Sequence, residues 1–247
     1  MSSIRAIFIA FTLAALAACS STSVENPTGT PSGKEPLSAA VGTLNYSDRV
    51  GASFMFVFNL DTAPPTEGFR VEVFGPRGWN GGDPARRIFR YGEAGRYATW
   101  VNIFRDNDGN SMEAVSGPYI VQAEINGETR RAEVELDTSE LLPKPTDLTI
   151  LEESPSSVSA SWTAVPGAAS YLVELFETET GSLDKSVTLY TTTPEATLDE
   201  LNLTVGGEYR LGVTALPSNF TDGAAKNLPQ GQFNTSFSSQ RFITTAE

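Results

Sequence analysis

The 247-residue chain contains no histidine and a single cysteine, Cys19. Zinc sites built on His and Cys, Ser-His-Asp triads and Cys-His pairs therefore lack their parts. Catalysis would have to rest on carboxylates, Lys, Tyr or Ser. One cysteine cannot close an intrachain disulfide, so each folded unit must be held by core burial, which is feasible for domains near roughly 100 residues. Basic residues are also scarce, with 17 Lys and Arg against 30 Asp and Glu, a net charge of −13. That balance argues against nucleic acid or anionic lipid as a direct partner and serves solubility. No apolar run is long. The longest, Ala6 to Ala18, covers about 13 residues, short of the roughly 20 that a membrane-spanning helix needs. No motif calls for a cofactor.

What is present begins with residues 1–18, which have the anatomy of a secretory signal. Arg5 supplies the charged start, an apolar stretch follows, and small residues precede Cys19. The quartet Leu16-Ala17-Ala18-Cys19 resembles the lipobox of bacterial lipoproteins. The resemblance implies cleavage after Ala18, a diacylglyceryl group on the Cys19 thiol and acylation of its new amine. The partner there is a membrane, held through the lipid, and two or more acyl chains suffice for stable anchoring. Ser20 fits the outer-membrane pattern of that family. The expected location is thus the bacterial cell envelope. A plain secretory signal would instead leave an unpaired thiol at Cys19. Without residues 1–18 the chain has sixteen basic and thirty acidic residues, net −14.

Residues 19–40 are rich in Ser, Thr, Pro and Gly without periodicity, and their composition reads as a flexible tether. Residues 41–138 read as an all-β domain. Phe54, Phe56 and Phe58 alternate along one stretch, and Phe69, Val71 and Val73 along another, each giving a strand with one buried face. Tyr119 to Ile125, the pair Asn126-Gly127 and Glu128 to Leu136 form a hairpin pattern, because Asn-Gly supplies the positive φ of a type I′ turn. About seven short strands predict an immunoglobulin-like sandwich. Ser139 to Pro145 is a junction whose prolines, Pro143 and Pro145, favour an extended connector.

Residues 143–247 carry a further set of marks. Val158, Ala160 and Trp162 share one parity, as do Tyr171, Val173 and Leu175, and again Tyr209, Leu211, Val213 and Ala215, so they belong to one core. The strand ending in Trp162, the strand begun by Tyr171 and the run from Leu203 to Tyr209 together resemble a fibronectin type III domain. The resemblance implies that Trp162 is buried between two sheets and that Leu203 to Tyr209 form a corner. The fold class is therefore all-β: two tandem β-sandwiches, the first immunoglobulin-like and the second fibronectin type III-like.

Three stretches are candidates for function. Trp79 lies among glycines with Arg77, Arg86 and Arg87 nearby, a composition able to offer an aromatic face to a sugar or peptide or to fold back over the sandwich edge. The connection from Pro217 to Asn234 is far longer than the usual two to five residues of a hairpin loop. Its Phe220 and Phe233 could anchor a partner or pack on the domain's own surface. Asp106 to Asn110 has the acidic spacing of a calcium-loop start, but Gly117 occupies the twelfth position where a glutamate is needed, so no metal site is assigned. The expected role is non-catalytic: a lipid-anchored module that binds or spaces through protein or glycan contacts. The alternatives are a glycan hydrolase with two carboxyl groups roughly 5 to 9.5 Å apart and a purely structural stalk.

Overall fold

The computed structural model describes residues 37–46, 49–60, 68–89, 95–103, 105–125, 127–177, 187–220 and 232–245. Cys19, the signal and the tether up to residue 36 lie outside them. The described residues form fourteen strands: β1 (Ser38–Tyr46), β2 (Arg49–Leu60), β3 (Phe69–Phe74), β4 (Ala85–Phe89), β5 (Gly95–Ile103), β6 (Gly117–Ile125), β7 (Glu128–Leu136), β8 (Thr149–Glu153), β9 (Val158–Ser161), β10 (Ser170–Glu177), β11 (Thr188–Thr191), β12 (Glu195–Leu198), β13 (Glu208–Leu216) and β14 (Thr235–Ile243). Strand β1 begins at Ser38, within the stretch that composition alone assigns to the tether.

Both halves use one scheme. In the first, β1-β2-β5 faces β4-β3-β6-β7; in the second, β12-β9-β8 faces β11-β10-β13-β14. Each is a sandwich of three strands against four, as the alternating apolar positions require. Phe54, Phe56, Phe58, Val71, Val73, Tyr119, Val121 and Ile125 fill the first core. Trp162, Tyr171, Val173, Leu211, Val213 and Ala215 fill the second. Trp162 is buried, as the resemblance implies, and the Tyr209 hydroxyl accepts a hydrogen bond from the Thr204 amide at 2.9 Å, closing the expected corner. The first sandwich has a corner of its own, in which the Tyr119 hydroxyl donates to the Val115 carbonyl at 2.9 Å.

The two sandwiches are not beads on a string. Strand β14 pairs in parallel with β1 through Leu44↔Thr235, Asn45↔Ser236 and Tyr46↔Phe237. This merges two sheets into one of seven strands, ordered β11-β10-β13-β14-β1-β2-β5. Paired residues share a side of a sheet, which places both cores on the same face. Val41 pairs with Phe54 toward the first core, while Leu44, three residues on, faces the other way with Thr235. Phe237 in turn pairs with Thr214, which alternates with the core residue Val213. The opposite face of the large sheet is thus continuous across both halves. It explains why Ser53 and Met55 are as buried as the phenylalanines between which they alternate: β2 has two covered faces, not the one its pattern predicts.

Candidate functional site

The junction is built on both faces of the seven-stranded sheet, and its two sides use different chemistry. On the outer face, Met55 from β2, Leu172 from β10 and Leu216 from β13 form a cluster with Phe220 and Phe233, and Tyr190 of β11 packs against it. Phe220 and Phe233 meet edge to face at 5.7 Å, and Tyr190 stacks on Phe220 at 6.1 Å. Their exposures are 3% and 0%. These two residues are therefore corrected as candidate partner anchors. The long connection brings its two ends down onto the sheet, where the apolar rings leave water, and its middle, residues 221–231, lies outside the described residues.

Backbone packing is tight at the same place. The Phe233 amide donates to the Val41 carbonyl at 2.9 Å. A Cβ on Gly42 would lie 1.8 Å from the Phe233 carbonyl oxygen. Only glycine lets β1 pass so close to another main chain.

On the core-side face the linker is stitched down by polar side chains. The Gln232 side-chain amide donates to the Asp137 carbonyl at 2.6 Å, Asn234 to Glu140 at 3.0 Å, Ser236 to Pro143 at 2.5 Å and Ser238 to Pro145 at 2.6 Å. The period of two along β14 matches the extended linker, whose prolines cannot donate but can accept. Asn234 is the hub: its Oδ1 also accepts from the Thr43 amide at 3.0 Å and from Gln232 at 2.7 Å. Leu142 adds an apolar peg in the second core. The connector is extended, as its prolines suggest, and it is bound along its length. The sequence signal for this was the alternation of Gln232, Asn234, Ser236 and Ser238, which is indistinguishable from a solvated strand face until its partner is known.

Trp79 is 4% exposed and is likewise corrected as a candidate binding face. It opens a short 3₁₀ turn after Gly78, whose φ is +83°, and its ring meets Tyr119 edge to face at 5.2 Å. Gly75 makes room, because a Cβ there would sit 2.4 Å from the indole. The indole N–H has no hydrogen-bond partner, so Trp79 acts as an apolar plate. In the turn after β5, Asp106 spends its carboxylate on the loop. It accepts from the Asn110 amide at 2.7 Å, the Asp108 amide at 3.0 Å and the Asn110 side chain at 3.0 Å. The Asn110 side chain is the main cause holding its pKa below the usual carboxylate value.

Two acidic residues, Glu152 and Glu195, line an open cleft of about 550 Å³. They stand on β8 and β12, the outer strands of the three-stranded sheet, and are offset by two residues in register. Strand spacings of about 4.8 Å and rises of about 3.3 Å per residue put their backbones roughly 12 Å apart. Among the described residues no group of three acidic, His or Cys side chains could hold a metal ion.

No protein-family model matches the chain, and no curated protein matches it. Among solved structures, it is similar to the fibronectin type III domain of the human collagen alpha-1(XX) chain, at 24% identity over 45% of this chain and 92% of that one, with a TM-score of 0.33. It is also similar to the FN1–FN3 domains of chicken CNTN1, at 18% identity over 88% and 66% of the two chains, TM-score 0.32. A stretch of titin domains matches at 15% identity over 85% and 66%, TM-score 0.31. Scores of this size carry no functional argument. The class, a tandem pair of immunoglobulin- and fibronectin-like β-sandwiches, rests on the strand order itself.

Proposed function

We propose that the chain is a lipid-anchored module of the bacterial cell envelope that works by binding or spacing, with the two sandwiches acting as one stiff unit. The observation that carries this reading is the shared seven-stranded sheet, because a parallel pairing of β1 with β14 and a stitched linker oppose hinging between the halves. The same register sets the reach. Six residues separate Ser38 from Leu44 and eight separate Thr235 from Ile243. At about 3.3 Å per residue, the far end of β14 stands roughly 45 Å from the start of β1 along the strands. A tether from a lipid on Cys19 would join that unit at its Ser38 end. Expressed in a bacterium, the chain should partition into detergent and label with a fatty-acid probe, and Cys19→Ala should abolish both. A variant that labels as strongly as the parent would overturn the anchor.

A further inference from the structure

Strand β1 stops short. Among the described residues its last pair with β14 is Tyr46↔Phe237, while β14 continues to Ile243. Residues Ser238–Ile243 pair with β13 on one side, and among the described residues no strand pairs with them on the other. The seven-stranded sheet therefore contains a notch in line with β1. Hydrogen-bond direction alternates along a strand. The Phe233 amide points toward β1, donating to Val41, and the Thr244 amide points the opposite way, donating to Gly207. By that alternation the amides and carbonyls of Ser239, Arg241 and Ile243 point into the notch.

Apart from the nine-residue edge strand β5, the other free edges are blunted in the ways natural sheets use. Strands β4 and β8 have five residues and β11 and β12 have four, and β8 is interrupted by a register shift after Ile150. Edge strand β7 turns the side chain of Arg130 inward, 4% exposed and 3.5 Å from Glu128. The notch carries one charge, Arg241, which is tied to Glu208 at 3.2 Å on the neighbouring strand. At its mouth opens a cleft of about 360 Å³ lined by Tyr46, Phe237, Lys144, Pro145, Thr146 and Ser239. The rings of Tyr46 and Phe237 meet there at 5.2 Å. The apolar wall of that cleft can take an aromatic or branched side chain.

We infer that the notch is a strand-addition site for an extended segment of a partner polypeptide. Such a segment would continue β1 along β14, gaining main-chain hydrogen bonds from Ser239, Arg241 and Ile243, with one apolar side chain seated between Tyr46, Phe237 and Pro145. The continuity with an interface already present selects this occupant: β14 is shaped to hold a strand on this side, and β1 leaves six positions of it unused. The inference deepens the binding reading above and is independent of the lipid.

The test uses the full chain carrying Cys19→Ala, so that failure of the anchor cannot be confused with failure of the site. A displayed library of random peptides long enough to cover Ser238–Ile243 is selected on this protein. Selected peptides should slow amide exchange at Ser239, Arg241 and Ile243. Their affinity should fall on the order of tenfold with Arg241→Pro, which removes one outward donor where an edge tolerates proline. Amide protection across β10 and β13 reports whether that variant keeps the fold, and Ser239→Pro serves as the second block. Failure to select any peptide, or peptides that bind both proline variants as well as the parent, would overturn the site. So would chitohexaose binding that shifts Tyr46 and Phe237 without protecting the amides, or a self-association abolished by Arg241→Pro, which would assign the notch to a glycan or to a second copy.

Discussion

In the second sandwich Trp162 leaves the end of β9 and meets Tyr171 edge to face at 5.2 Å; in the first, Trp79 arrives from a glycine-rich turn and meets Tyr119 at the same 5.2 Å. Both indole N–H groups are buried without a partner. Two sandwiches with one strand scheme thus reach one aromatic contact by different routes, and in each the indole serves as an apolar plate. The tyrosine differs in its second duty. Tyr171 accepts the Val165 amide at 2.8 Å, whereas Tyr119 is itself the corner residue, bonded to both polar groups of Val115. A core contact in this architecture constrains the pair of rings and leaves open which segment delivers them.

The largest expected effects test that equivalence. Trp162→Ala and Trp79→Ala should each cost about 3–5 kcal/mol, the range for deleting a large buried aromatic. Because the halves share a sheet, either change should lower one common thermal transition. Two separated transitions, or a Trp79→Ala protein that melts like its parent, would break the comparison. Gly75→Ala sharpens it, since a methyl 2.4 Å from the indole must push the ring out and reproduce part of the Trp79 loss.

The same contrast separates what the sequence discloses from what it hides. Trp162, Tyr171 and Tyr209 sit on strands, where a period of two reports the buried face directly, and the core they predict is the core that forms. Trp79 sits off-strand, and its glycines are equally consistent with an exposed loop and with a ring folded inward. The junction is the least legible part. Its main-chain pairing joins Leu44 to Thr235 across nearly the whole chain, and no local pattern encodes such a register. Gly42 records it by its smallness, and that record is readable only once Phe233 is in place. Phe220 and Phe233 stand out in a polar connection because they are apolar, but apolarity alone does not distinguish an anchor for another protein from an anchor for this one.

A middle-sized effect is expected at the two corners. Tyr119→Phe leaves both the amide and the carbonyl of Val115 without their side-chain partner, while Tyr209→Phe leaves only the Thr204 amide. A lost hydrogen bond costs about 0.5–1.5 kcal/mol net, and Tyr119 is the more buried of the two rings, with 0% exposure against 8%. Burial is also the main reason its pKa is pushed up to about 12. The urea midpoint should therefore drop further for Tyr119→Phe than for Tyr209→Phe. Equal drops would mean that the second bond of the Tyr119 hydroxyl contributes nothing.

The smallest effect probes the edge of the junction through pH. Glu174 lies on β10 between Leu172 and Phe176, on the outer face that carries the junction cluster, and burial raises its pKa above the ordinary 4.5. Tyr190, which stacks on Phe220, has its own pKa raised by burial and then by the Glu174 charge. A raised carboxyl pKa means that the folded protein holds the proton more tightly than the unfolded chain. The resulting stability is fully present below the unfolded pKa and is lost as pH rises through the higher folded value. Glu174→Gln removes this dependence. Relative to the parent it should gain thermal stability as pH climbs from about 3 to about 8, and the phenol of Tyr190 should ionise at lower pH once the neighbouring charge is gone. A stability difference that stays flat with pH would show that Glu174 remains as well solvated in the fold as in the open chain. An unmoved phenol titration would show that it does not reach the rings that join the two sandwiches.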